Sequence, residues 1–162
     1  RFKEALGLAR KTGQLLDIAR IQGNLANTYR TLGEMSAALE HLEESTRIRK
    51  LTGDRQGLAI CLNSLARIQT QRGEFQAALE TTESALEIFE EVGDPKGVAI
   101  TLCNIGELLL LRGRPQDARE ALERCSILDD ENDGTPLACN ILFNQARVEV
   151  AVCEYERAEK LF

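Results

Sequence analysis

The chain has 162 residues, about one domain in length, with 43% hydrophobic, 28% charged and only 4% aromatic residues. Three prolines and twelve glycines exclude a collagen-like or low-complexity polymer, and the apolar fraction excludes a disordered acidic tail. The net charge is −6, shifting from nine Lys/Arg against six Asp/Glu in the first fifty residues to four against nine in the last forty-two; without a basic run, this balance repels a phosphate backbone and argues against nucleic acid as a partner.

In chain order, apolar residues at three- and four-residue steps predict a short leading helix over 2–11. Helices over 15–32, 35–51, 55–72, 75–92, 96–112, 115–128 and 136–152 follow. One stripe is Leu58, Cys61, Leu62, Leu65, Ala66 and Ile68; the next runs through Phe75, Ala78, Leu79, Leu86 and Phe89. The intervening glycines, from Gly13 to Gly113, are expected to close helices through a left-handed turn. Asp94-Pro95 reads as an N-cap and a first helical residue, and Pro115 fits a first turn. Leu108 to Leu111 point nearly all the way around a helix, so one or two must face outward, into a groove pocket or onto adjoining units. No apolar run approaches the roughly 18 residues of a membrane span.

Gly33, Gly73 and Gly113 are forty residues apart, and so are Gly13, Gly53 and Gly93. The same step joins Ala38, Ala78, Ala118 and Ala158, and joins Ala26, Ala66, Gly106 and Ala146. This is a repeat signature. Two helices approach closely only where one presents a small side chain, and a bulky one there costs about 1–3 kcal/mol. The units are a partial repeat over 1–13, repeats over 14–52, 53–92 and 93–132, and a truncated repeat over 133–162. They form a single array, read as an excerpt of a longer protein because it begins at Arg1 and stops at Leu161-Phe162 inside an apolar pattern. The expected fold is all-α, a solenoid of antiparallel helix pairs.

Leu25, Ala26, Tyr29, Gly33 and Ala38 resemble the five-point motif of the tetratricopeptide repeat family: large residue, small residue, aromatic, Gly and Ala. Leu65, Ala66, Gly73 and Ala78 repeat it without the aromatic, as do Ile105, Gly106, Gly113 and Ala118, whereas the fourth unit keeps Ala146 and Ala158 but has Cys153 in place of Gly. The forty-residue period, the Gly-Asp turns and Asn24-Leu25-Ala26-Asn27 are similar to repeats of the Leu-Gly-Asn scaffold proteins that organise spindle orientation, and to those of bacterial signalling regulators. The resemblance implies a right-handed superhelix with a concave, peptide-binding groove lined by the first helix of each pair. Carried over position by position, the groove residues are Arg20, Asn24 and Asn27; Ser64, Arg67 and Gln71; Asn104, Glu107 and Leu111; and Asn140, Asn144 and Arg147.

A ladder of asparagines at Asn24, Asn104 and Asn144 can hold an extended backbone, because a primary amide both donates and accepts. Arg20, Arg67 and Arg147 either clamp carboxylates of an acidic segment or chain terminus, or pair with neighbours such as Glu107. Cys61, Cys103, Cys125, Cys139 and Cys153 form no CxxC pair and are odd in number; they read as small apolar filler in a reducing cytoplasm, with redox sensing the alternative. His41 is the only histidine, which leaves any metal site short of ligands. Asp129 to Gly134 opens like a calcium loop, but its twelfth position is Asn140 where a bidentate Glu is required, so it reads as a solvated turn. No catalytic motif is present and no cofactor is implied. The expectation is a cytoplasmic, non-enzymatic scaffold for proteins or extended peptides, with no nucleic acid or membrane partner, able to self-associate through exposed repeat ends. The alternative is a ligand- or peptide-sensing module of a larger bacterial regulator.

Overall fold

Gly33, Gly53, Gly73, Gly93 and Gly113, twenty residues apart, all have φ between +69° and +82°. At Gly33 the glycine N–H donates to the Arg30 carbonyl at 3.1 Å, and the next N–H, of Glu34, reaches back to the Tyr29 carbonyl at 2.9 Å. The same pair of bonds recurs at all five glycines, so each helix ends in a Schellman turn that a Cβ would strain. The computed structural model describes residues 2–128 and 136–159, with side chains over 13–127 and 140–153; the acidic run from Asp129 to Gly134 and the Ala158 side chain lie outside these. The helices are α1 (Phe2–Thr31), α2 (Met35–Thr52), α3 (Arg55–Gln71), α4 (Phe75–Val92), α5 (Pro95–Leu111), α6 (Pro115–Leu128) and α7 (Pro136–Glu159).

Five of the seven sit within about a residue of their expected bounds, and two do not. The leading helix was expected to end before Gly13, but α1 runs unbroken from Phe2 to Thr31 and Gly13 keeps a helical φ. Gly53 and Gly93 are each followed by an aspartate whose carboxylate accepts the N–H three residues on and starts the next helix. Gly13 is followed by Gln14, which has no carboxylate to start a new helix. At the other end the expected turn near Cys153 is absent and α7 continues to Glu159. A side chain with a Cβ at that position resists the left-handed conformation its glycine counterparts adopt.

Helices pair as α1 with α2, α3 with α4 and α5 with α6, and each even helix then packs on the next odd one. The odd helices also touch in sequence, α1 to α3, α3 to α5 and α5 to α7, whereas among the described residues α2, α4 and α6 do not touch one another. One row is therefore close-packed and the other splayed, so the array curves with the odd helices on its concave side. Ala38, Ala78 and Ala118 are fully buried, and Ala26, Ala66 and Gly106 opposite them are also buried, as the small-residue step requires. Ala146 is exposed, since α7 faces α5 and α6 with Ile141, Asn144, Val148 and Val152 instead. Leu108 and Leu109 enter the core, Leu110 is half-buried and Leu111 faces outward.

Asp94 shows how repeats are joined. Its Oδ1 accepts the Gly97 N–H at 2.9 Å, and its Oδ2 accepts the Gln56 amide of the preceding repeat at 2.8 Å. Those two bonds, the Gly97 one foremost, hold its pKa below the ordinary 3.8. The folded pKa is depressed, so the carboxylate stabilises the chain above pH 3.8 and that contribution is lost as the pH falls through the lower folded value. Asp94→Ala should cost about 0.5–2 kcal/mol at neutral pH. In urea titrations the gap between variant and parent should close as the pH is taken below the folded pKa; a gap independent of pH would contradict the cap.

Candidate peptide-binding groove

On the concave side α3, α5 and α7, with the end of α1, line a cavity of about 360 Å3. Its wall follows the forty-residue step. Asn63, Cys103 and Phe143 share one offset, Arg67, Glu107 and Arg147 a second, Asn104 and Asn144 a third, and Arg30 and Thr70 a fourth; Gln71 and Asn140 add to the polar lining.

Arg30 comes from the last turn of α1, three residues beyond Asn27, where helical spacing sets the two side chains together. Its Nε and Nη2 donate to Asn27 Oδ1 at 3.2 and 2.9 Å, so its partner is a neutral amide. Arg30 is only 9% exposed, and burial, followed by the nearby Arg67 charge, lowers its pKa. The guanidinium nonetheless stays charged at neutral pH. Arg67 is exposed to the groove. Arg147 donates from Nη1 to Asn144 Oδ1 at 3.1 Å, lies 4.0 Å from Glu107 Oε1, and covers the Phe143 ring at 5.7 Å from its centroid. Glu107 is the one carboxylate among the described lining residues, set against three guanidiniums. In a chain of net charge −6 the groove is locally positive, a field that attracts anions.

Asn63 donates from Nδ2 to Thr101 Oγ1 at 2.8 Å, and Thr101 donates its own proton to the Gly97 carbonyl at 2.7 Å. Thr101 can only accept from Asn63, which fixes the amide with its oxygen the other way; that Oδ1 is buried without a protein partner.

Of the twelve residues expected in the groove, Arg67, Gln71, Asn104, Glu107, Asn140, Asn144 and Arg147 converge on the cavity. Arg20, Asn24, Asn27, Ser64 and Leu111 do not line it. Arg20 is exposed and paired with Asp17 at 3.1 Å, Ser64 donates to the Ile60 carbonyl at 3.0 Å, and Asn27 acts through Arg30. Asn144 was expected to present its amide to a ligand, but it is 5% exposed, with Nδ2 against Cys103 Sγ at 3.5 Å and Oδ1 held by Arg147. Asn104, half-buried, is the ladder position that keeps its amide toward the hollow. Arg30, Asn63 and Thr70 are lining residues that the motif did not indicate; Arg30 was within reach as the cation one turn beyond Asn27.

A larger hollow of about 570 Å3 lies at the α4–α5 turn, lined by Phe89, Pro95, Val98, Arg124 and Ile127. There Arg124 is paired with Glu90 at 3.3 Å and the Asp94 carboxylate caps its helix, so no cation is left over to draw an acidic segment. Among the described residues no three His, Cys, Asp or Glu side chains converge as metal ligands.

Curved rows of helix pairs with a groove along the inner row define an α-helical repeat protein. A family model described as tetratricopeptide repeat matches residues 1–51, 17–91 and 58–130, and the chain belongs to that family. Among solved structures it is similar to a Podospora anserina protein described as a kinesin light chain with nearly identical TPR-like repeats. The two are 21% identical with a TM-score of 0.64 over 88% of this chain and 71% of that one, a likeness of fold. No curated protein matches it in sequence. Tetratricopeptide repeats in general mediate protein–protein interaction, typically without catalysis. No helix among the described residues is long and apolar enough to cross a membrane.

Proposed function

We propose that the chain is a non-enzymatic scaffold whose groove holds an extended, acidic segment of a partner protein. The observation that carries this reading is the convergence of Arg30, Arg67 and Arg147 on one cavity with a single carboxylate, Glu107, already beside Arg147. Arg30 and Arg67 come from adjacent repeats and repel one another; a ligand carboxylate between them relieves that repulsion and replaces water around a half-desolvated charge. Asn104, Asn140 and Gln71 supply amides for the peptide backbone. The cysteine pattern makes the cytoplasm the proposed compartment.

The two sets of side chains should fail differently. Arg67→Ala should weaken an acidic peptide by about 1.5–3 kcal/mol, the worth of a charge-assisted hydrogen bond, and leave a neutral peptide nearly unchanged. Asn104→Ala should weaken both by about 0.5–1.5 kcal/mol. Titration calorimetry with both peptides at two ionic strengths checks this, because only the arginine contribution is screened by salt. Equal losses for both peptides in Arg67→Ala, insensitive to salt, would show that charge does not select the ligand.

A further inference from the structure

Two thiols meet at the wall of the groove. Cys103 projects from α5 into the cavity lining, and Cys125 of α6, which is fully buried, packs against the same face of α5: it donates its S–H at 3.0 Å to the carbonyl of Ala99, one helical turn before Cys103. Both are reduced. That bond anchors the Cys125 sulfur at the turn of α5 that ends in Cys103. From the other side the Asn144 amide of α7 points Nδ2 at Cys103 Sγ at 3.5 Å. Apolar filler would need neither a second sulfur nor an amide aimed at the first.

We propose that Cys103 and Cys125 are a peroxide-oxidisable dithiol that closes to a disulfide between α5 and α6. The Cys103 thiolate attacks one oxygen of hydrogen peroxide, breaks the O–O bond and becomes a sulfenic acid as hydroxide leaves and takes up a proton. The Cys125 sulfur then attacks the sulfenic sulfur, its proton leaves with the hydroxyl as a second water, and the S–S bond forms. Two thiols are oxidised by two electrons and one peroxide is reduced to two waters.

The roles follow from placement. Cys103 faces the cavity, through which a small hydroperoxide arrives, while Cys125 lies behind it and resolves the intermediate. The surroundings favour the Cys103 thiolate once the Cys125 S–H turns from the Ala99 carbonyl toward it: that hydrogen bond first, opposed by burial, then the Asn144 amide, bring its pKa down to about 7, with the Glu107 charge acting against them. Arg67 of α3, Arg30 of α1 and Arg147 of α7 are the cations lining the same cavity. A thiolate populated at neutral pH is the form that reacts.

The test treats the folded full chain with hydrogen peroxide, blocks remaining thiols after denaturation, and maps the peptides. The expected product is a monomer that has lost two hydrogens, with Cys103 joined to Cys125 and Cys61 still open to alkylation, and a dithiol reductant should restore it. Its rate of formation should rise through a midpoint near pH 7, the Cys103 pKa, instead of near the ordinary 9.0. Cys125→Ser should instead accumulate a sulfenic acid at Cys103 that a carbon nucleophile traps. If Cys103 and Cys125 both remain alkylatable while exposed Cys153 is consumed, or if Cys103 goes to sulfinic acid without pairing, the proposal is overturned.

Discussion

Gly97→Ala should destabilise the array by about 1–3 kcal/mol or more, whereas the same exchange at Gly13 should be neutral or stabilising by up to about 1 kcal/mol. A Cβ on Gly97 would lie 2.2, 2.5 and 2.7 Å from three atoms of the Phe89 ring. Phe89 is 2% exposed in the core shared by α4 and α5, and the atoms struck include Cγ at the base of its ring, so the whole ring must leave its packing, toward the hollow it lines, or the two helices must part. A Cβ on Gly13 meets nothing within 4 Å, and the helix around it is continuous, so only the favourable helix propensity of alanine is felt. At about 2–4 °C per kcal/mol for a chain of this size, the two variants should melt on opposite sides of the parent or nearly so. Equal melting temperatures for the two would refute both the close α4–α5 approach and the unbroken α1.

The second large effect concerns Leu122, a fully buried residue of α6 that lies over Gly106 of α5. Leu122→Ala should cost about 2–5 kcal/mol, the lost burial plus the cavity left behind. Gly106→Ala alone should also destabilise, because its Cβ would come within 2.8 Å of Leu122 Cγ and 2.9 Å of Cδ2. Combined, the two changes should cost less than their sum, since the new methyl enters the space the leucine vacates, with a coupling of about 0.5–3 kcal/mol measured by urea denaturation. Strict additivity would mean that the α5–α6 contact does not run through this pair.

The forty-residue step made most of the fold legible because close helix contact demands a small residue at one height in every unit, and Ala38, Ala78 and Ala118 meet that demand in full. Where the phase misled, the cause was local. Gly13 stands in step with Gly53 and Gly93 but lacks the aspartate that begins a new helix, and Cys153 stands where a left-handed glycine would be needed. Gly57 and Gly97, also forty apart, went unread although a Cβ at the first would meet the Arg49 guanidinium and the Asp54 carboxylate and one at the second the Phe89 ring; the demand at Gly97 comes from the preceding helix, which no single-helix pattern encodes.

The groove was legible in part for the same reason. Arg67, Glu107 and Arg147 were found because one of the family's groove positions, carried over at the forty-residue step, falls on them in three successive units. Arg30 was not, since its counterparts are Thr70, Leu110 and Val150, and a position without recurrence gives no repeat signal. The burial of Asn144 depends on how α7 settles against Cys103 of α5, a tertiary contact between residues forty-one apart.

The central claim is that cations in the groove choose an acidic ligand, and reversing one of them tests it most directly. Arg67→Glu changes a single exposed side chain on the cavity wall and leaves the buried contacts between helices alone. Affinities for an acidic peptide and for its lysine-substituted counterpart, measured at low ionic strength for both parent and variant, give the preference as a ratio. The account predicts that the parent prefers the acidic peptide by tenfold or more, since a charge-assisted contact is worth about 1.5–3 kcal/mol, and that Arg67→Glu abolishes or inverts that ratio. A variant that keeps the parent's preference unchanged would contradict it.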